Sequence, residues 1–190
     1  MINKPFNMVS QFVSSHDVPL LGSLNYNFPE GTHAIGRLDK NSEGLLLLTT
    51  NKKVTKLLFH GEQAHTRTYL VQVTNTVSAD TIQQFTSGIA ISAPEGKQYM
   101  AAACEAKIVQ KPPYIIDLVE TPLHKNVTNT WITITLTEGK FHQVRKMVAA
   151  AHHKCLRLIR ISIEDLVLEN MLPGEVKEVS EAYFFEKLKL

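Results

Sequence analysis

His33-Ala34-Ile35-Gly36-Arg37-Leu38-Asp39-Lys40-Asn41-Ser42-Glu43-Gly44-Leu45-Leu46-Leu47-Leu48-Thr49-Thr50-Asn51 is the stretch that decides how this chain folds. A polar loop punctuated by Gly36 and Gly44 holds one arginine and one aspartate, then runs into four leucines. Four leucines have no polar face, so the run predicts a strand buried on both sides. A charged loop anchored to such a strand is a rigid platform from which polar groups can be aimed.

Outward from this centre, the chain alternates strand-like and helical patterns. Towards the N-terminus, residues 2–5 and 8–12 read as two short strands around a turn at Pro5, and residues 14–32 as a connecting segment with one helical turn. Towards the C-terminus, Asn51 is placed to cap a helix over 52–60 that Gly61 ends. Residues 68–73 predict a strand with Tyr69, Val71 and Val73 on one face. Ser78 opens a helix over 79–87, closed by Gly88. Short strands with turns at Pro94-Glu95-Gly96 and Pro112-Pro113 fill 89–120, and 121–129 reads as a polar loop. In 130–136, Ile132, Ile134 and Leu136 alternate with Trp131, Thr133 and Thr135, a strand pattern. Val144, Met147, Val148 and Ala151 form the apolar stripe of a helix over 142–151, with His142 and Arg145 off that stripe. Strands at 155–161 and 176–179, separated by a Pro173-Gly174 turn, precede a tail helix over 181–190. Many strands and few helices, without regular alternation, predict an α+β fold with a large mixed or mostly antiparallel sheet. A division into lobes is expected between residues 60 and 67.

Composition bounds the function. The chain has 190 residues, enough for one large domain or two small lobes, and 44% of them are hydrophobic. No apolar run approaches the ~20 residues of a membrane helix, and residues 1–5 carry no signal-peptide pattern. Cys104 and Cys155 make no metal spacing and no disulfide framework, so a reduced, cytoplasmic setting is expected. The net charge is only +2, but residues 138–160 hold six basic residues, three histidines and the single acid Glu138. Such a local patch is suited to phosphates.

Three residues are candidates for chemistry. Asp39 is either a turn cap or, on its glycine-flanked platform, a nucleophile or general base. Tyr69 is either strand packing or a flat face for stacking on a base. Arg145 is either a solvated helix charge or a buried partner for a carboxylate. His60, His65, His152 and His153 lack acidic or cysteine partners at ligand spacing, so no metal site is expected. There is no phosphate-binding loop, dinucleotide fingerprint or Gly-x-Ser-x-Gly. The residues by themselves leave two readings open, an RNA-directed enzyme and an RNA-binding module.

A resemblance narrows this. Gly36-Arg37-Leu38-Asp39 followed by Ser42-Glu43-Gly44-Leu45-Leu46-Leu47-Leu48-Thr49 resembles the signature of the RsuA-type pseudouridine synthases. Asn3-Lys4-Pro5, Arg67-Thr68-Tyr69-Leu70-Val71, Glu138-Gly139-Lys140-Phe141-His142-Gln143-Val144-Arg145-Lys146-Met147, Leu156-Arg157-Leu158-Ile159-Arg160 and Leu172-Pro173-Gly174-Glu175 fit the family's further motifs in order. His142 departs from the arginine usual there. Within the family the chain is most similar to the RluE branch, which acts on a uridine of 23S rRNA. The resemblance implies the pseudouridine synthase catalytic fold, with a cleft across the sheet. It also implies one catalytic domain over 1–190, divisible into lobes of about 1–63 with C-terminal strands and 64–180, without a separate N-terminal RNA-binding domain. It implies Asp39 as nucleophile at the sugar C1′ or the uracil C6, Arg145 pairing with it and keeping it ionised, and Tyr69 stacking on the flipped base. Lys4, Arg37, Lys140, His142, Gln143, Lys146, Arg157 and Arg160 are then expected to contact the RNA. The isomerisation oxidises and hydrolyses nothing, so no cofactor or metal is expected, and neither is a membrane; the expected partner is rRNA and the expected state a monomer. The competing readings are a non-catalytic ribosome assembly factor of the same fold, a synthase for 16S rRNA or tRNA, and a zinc-dependent hydrolase.

Overall fold

The structure, a computed structural model, describes residues 1–60, 63–116 and 128–190. The chain forms two compact units: residues 1–67 with 159–190, and residues 68–158.

The first unit is built on β3 (Glu43–Thr49), the predicted leucine strand. Leu45, Leu46 and Leu47 are fully buried. Its partners explain this. The strand β1 (Ile2–Lys4) pairs antiparallel with it, Lys4 opposite Gly44, and β2 (His33–Ile35) pairs antiparallel further along, Ile35 opposite Leu47. The C-terminal part of β9 (Cys155–Ile163) runs parallel to its start, with Gly44 opposite Arg160. The hairpin partner of β9 is β10 (Leu166–Val167). The helix α1 (Lys53–His60) starts where Asn51 Oδ1 accepts from the Lys53 N–H at 3.0 Å, the predicted cap. The helix α4 (Glu181–Leu188) is capped by Ser180 and buries Phe184 and Leu188.

The second unit contains β4 (Arg67–Thr74), α2 (Ala79–Ser87), β5 (Ile89–Ser92), β6 (Gln98–Ala101), β7 (Glu105–Val109), β8 (Asn129–Leu136) and α3 (Gln143–Ala150). The strands β4, β8 and β7 are neighbours in that order, and β5 and β6 form a separate antiparallel pair. Its core joins Val71 and Val73 of β4, Phe85 of α2, Ile132, Ile134 and Leu136 of β8, and the whole predicted stripe of α3. Trp131 and Thr133 are buried too, so β8 is covered on both faces rather than one. The expected α+β class with mixed pairing holds: β3 and β9 are parallel, whereas β1 and β2 on β3, β10 on β9, β6 on β5 and β8 on β7 are antiparallel.

Two expected strands do not form. Around residues 8–12 the backbone bonds go to an irregular segment, Val9 N–H to the Pro19 carbonyl and the Leu21 N–H to the Gln11 carbonyl. Residues 176–179 reduce to one bridge between Val176 and Ile2, because β1 offers only three residues to pair with. The polar loop expected at 121–129 lies almost wholly outside the described residues, as does the helix stop expected at Gly61.

Gly44 is required by this packing. Its φ is +98°, and a Cβ there would lie 2.3 Å from the Arg160 carbonyl oxygen. A side chain would meet backbone, which cannot rotate away, as well as the left-handed strain. Gly44→Ala is expected to lower the unfolding free energy by at least ~2 kcal/mol, read from urea denaturation; an unchanged midpoint would contradict the close approach of β9.

Candidate active site

The loop between β2 and β3 is held at several backbone groups around Asp39. Gly36, with φ +70°, turns the chain out of β2. The buried Ser10 hydroxyl accepts from the Leu38 N–H at 3.0 Å and donates to the Leu38 carbonyl at 2.9 Å. The Asp39 carbonyl accepts from the Ser42 N–H at 3.0 Å. On the other side, Lys4 Nζ donates to the carbonyls of Met8 at 2.6 Å, Pro5 at 2.9 Å and Lys40 at 3.4 Å. Asp39 is half-buried at the centre of this arrangement, and Arg37 is exposed beside it.

Lys4 has no solvent exposure. Burial pushes its ammonium down to about 8; the carboxylates of Glu43 and Asp39 work to restore it, and the guanidinium of Arg160 works against it. It therefore stays charged at neutral pH. Arg160, 2% exposed, donates from Nε to the Leu45 carbonyl at 2.8 Å. Two buried cations and the buried Glu43 thus lie together at the base of the loop.

In the second unit, Tyr69 lies half-buried on β4 and packs against the core. Arg145 is half-buried on α3, with Nη1 3.6 Å from Cys155 Sγ. Burial pushes the Cys155 thiol up to about 11, against the pull of the Arg145 charge. The segment before α3 is clamped: Glu138 accepts from the Tyr99 hydroxyl and from Gln143 Nε2, both at 2.5 Å, and Gln143 Oε1 accepts from the Lys140 N–H at 2.8 Å. The bond to Glu138 raises the Tyr99 phenol.

Several expected RNA contacts are corrected here. Lys4, Gln143, Arg157 and Arg160 are buried, so they act as internal fasteners rather than as a phosphate-facing surface. Arg157 Nη1 donates to the Ile116 carbonyl at 2.9 Å and its guanidinium lies 5.9 Å from the Trp131 ring centre. Arg37, Lys140 and His142 remain exposed, and Lys146 is half-buried with its ammonium on the Ser92 carbonyl. Ser10, Glu43 and Tyr99 are not singled out by the sequence; a serine, a glutamate and a tyrosine in such contexts carry no local signal of these roles. Among the described residues, no group of three or more histidine, cysteine or acidic side chains is placed to hold a metal ion. Among the same residues, no helix is long and apolar enough to cross a membrane.

The family model described as RNA pseudouridylate synthase matches residues 1–150. The chain therefore belongs to that family, enzymes that isomerise uridine to pseudouridine. It is 31% identical over 175 residues to the ribosomal large subunit pseudouridine synthase E of Xanthomonas axonopodis pv. citri (strain 306), covering 91% of this chain and 89% of that one. It is 30% identical over 185 residues to the ribosomal small subunit pseudouridine synthase A of Yersinia pestis, covering 95% and 68%. A crystal structure of pseudouridylate synthase, 26% identical, superposes with a TM-score of 0.73 over 98% of this chain and 71% of that one.

The Lys4 cage makes a pH prediction. Between about pH 8 and pH 10.5, the folded and ordinary values for Lys4, the unfolded chain binds more protons than the folded one. Stability from this group therefore rises with pH across that window, by up to ~1.4 kcal/mol per pH unit. Below it the penalty of burying the charge is constant. Urea unfolding at pH 7 to 10.5 should show the difference between native protein and Lys4→Met growing in favour of the native protein. A pH-independent difference would show that Lys4 titrates normally.

Proposed function

We propose that the chain converts one uridine of ribosomal RNA, in 23S rRNA, to pseudouridine, with Asp39 as the nucleophile. The observation that supports this most is the bonding of the loop: Leu38, Asp39 and Lys40 all have backbone groups tied down, so the carboxylate between them is aimed before substrate arrives. Preorganised geometry of this kind lowers a barrier without reorganisation at the moment of reaction.

The uridine leaves its stack at a cost of a few kcal/mol. Asp39 attacks at C1′ or C6, and the C1′–N1 bond breaks. The uracil turns, C5 bonds to C1′, the bond to Asp39 breaks so that the carboxylate is freed, and the proton on C5 is lost while N1 gains one. Tyr69 supplies the ring on which the flipped base stacks, and Arg145 a permanent cation for the carboxylate. Similarity to pseudouridine synthase E, whose name refers to the large ribosomal particle, favours the 23S target. The Yersinia pestis synthase, named for the small particle, is nearly as similar in identity, so the RNA is what the experiment must decide. A ribosomal substrate also implies work in the cytoplasm.

Asp39→Asn removes the nucleophile and keeps the shape. Pseudouridine formation should fall on the order of 10⁴-fold or more, while RNA binding persists. Normal turnover in that variant would reject Asp39 as the nucleophile. Mapping pseudouridines in rRNA from a strain lacking the protein should show one missing in 23S rRNA. One missing in 16S rRNA or tRNA would move the target, and no product from purified protein on undermodified rRNA would leave a non-catalytic factor.

A further inference from the structure

The segment before α3 presents an aromatic surface that the chemistry at Asp39 does not use. The Phe141 ring is 73% exposed. It lies flat on the His142 imidazole, with centroids 3.9 Å apart and planes inclined by 16°. Lys146 Nζ stands 5.6 Å from the Phe141 centroid, tethered to the Ser92 carbonyl at 2.8 Å. Lys140 Nζ stands 5.1 Å from the Tyr99 centroid.

A single exposed aromatic is ordinary on a protein surface. This one differs in how firmly its backbone is held. Gln143 binds both backbone groups of Lys140, its Oε1 accepting from the Lys140 N–H and its own N–H donating to the Lys140 carbonyl at 3.1 Å. Glu138 anchors Gln143 in turn. His142 is left-handed, with φ +55°, so the chain turns sharply between the loop and the helix. The ring is thus displayed by a clamped backbone. Its neighbours select a partner. The two nearby ammonium groups ask for negative charge, and the one carboxylate of the segment, Glu138, is occupied by Tyr99 and Gln143. A flat π-system carrying a phosphate is the chemistry that fits: an unpaired nucleotide.

We infer that Phe141, seated on His142 and flanked by Lys140 and Lys146, is a stacking platform for an unpaired base of the substrate RNA other than the uridine that reacts. This rests on the RNA-directed function proposed above. The ring supplies the stacking face, and Lys140, the more exposed of the two lysines, meets the phosphate. Because stacking accepts any base, the platform adds affinity with little sequence preference.

The test uses the full chain and an unmodified rRNA transcript labelled with tritium at uridine C5, whose release follows the reaction. Phe141→Ala should weaken equilibrium binding and raise KM on the order of tenfold, with kcat reduced far less. Phe141→Tyr and Phe141→Trp should restore binding, whereas Phe141→Leu, apolar but without a π-face, should resemble alanine. The ring is exposed, so the unfolding midpoint should not move. Unchanged binding and KM in Phe141→Ala, or full binding in Phe141→Leu, would overturn the platform while the synthase reading stands. A native chain that neither binds nor modifies the RNA would overturn both.

Discussion

A lysine ammonium with no access to water is the constraint around which the first unit is arranged. A buried charge is tolerated only when its hydrogen-bonding capacity is filled. Lys4 fills it with the carbonyls of Pro5, Met8 and Lys40, three groups from two segments. Its place is set by strand register, since Lys4 lies opposite Gly44 at the start of β3. The side chain therefore transmits the position of the buried leucine strand into the loop that carries Asp39. Ser10 closes the same loop from the Leu38 side. Deleting the lysine head would leave carbonyls without donors, each at a cost of about 1–3 kcal/mol.

The same logic sorts the other basic residues. Arginine has five donors in a fixed fork and suits backbone carbonyls of the interior. Arg160 reaches the Leu45 carbonyl and Arg157 the Ile116 carbonyl, so both are structural members of the interior. The charge exposed at the surface is correspondingly smaller than the count of basic residues in 138–160 implies, because Arg157 and Arg160 face inward while Lys140 and Lys154 stay exposed. Reversing the charge of Arg160 would be felt as lost stability before any change in RNA affinity could be read.

Much of the fold was legible because its signals are local. Four leucines specify a strand without a wet face; Asn51 and Ser78 satisfy backbone amides of the helices they precede; the spacing of Val144, Met147, Val148 and Ala151 defines a buried helix face. The two strands that failed, at 8–12 and 176–179, have acceptable strand composition, but the first bonds to an irregular segment and the second makes a single bridge with β1. Pairing is a property of the partner, and the partner is elsewhere in the chain. The two-residue β10 left no periodic pattern to detect.

The candidate site divides along the same line. The sequence by itself determined the motif identities, and with them Asp39, Tyr69 and Arg145 as residues of interest, because the motifs are contiguous and ordered. Only the tertiary structure decided which cations face inward. A lysine or arginine reads the same on paper whether its head meets water or a carbonyl, and the carbonyls that capture it lie up to 36 residues away for Lys4 and 115 for Arg160. Long side chains are placed by what distant backbone offers them, which no local pattern records.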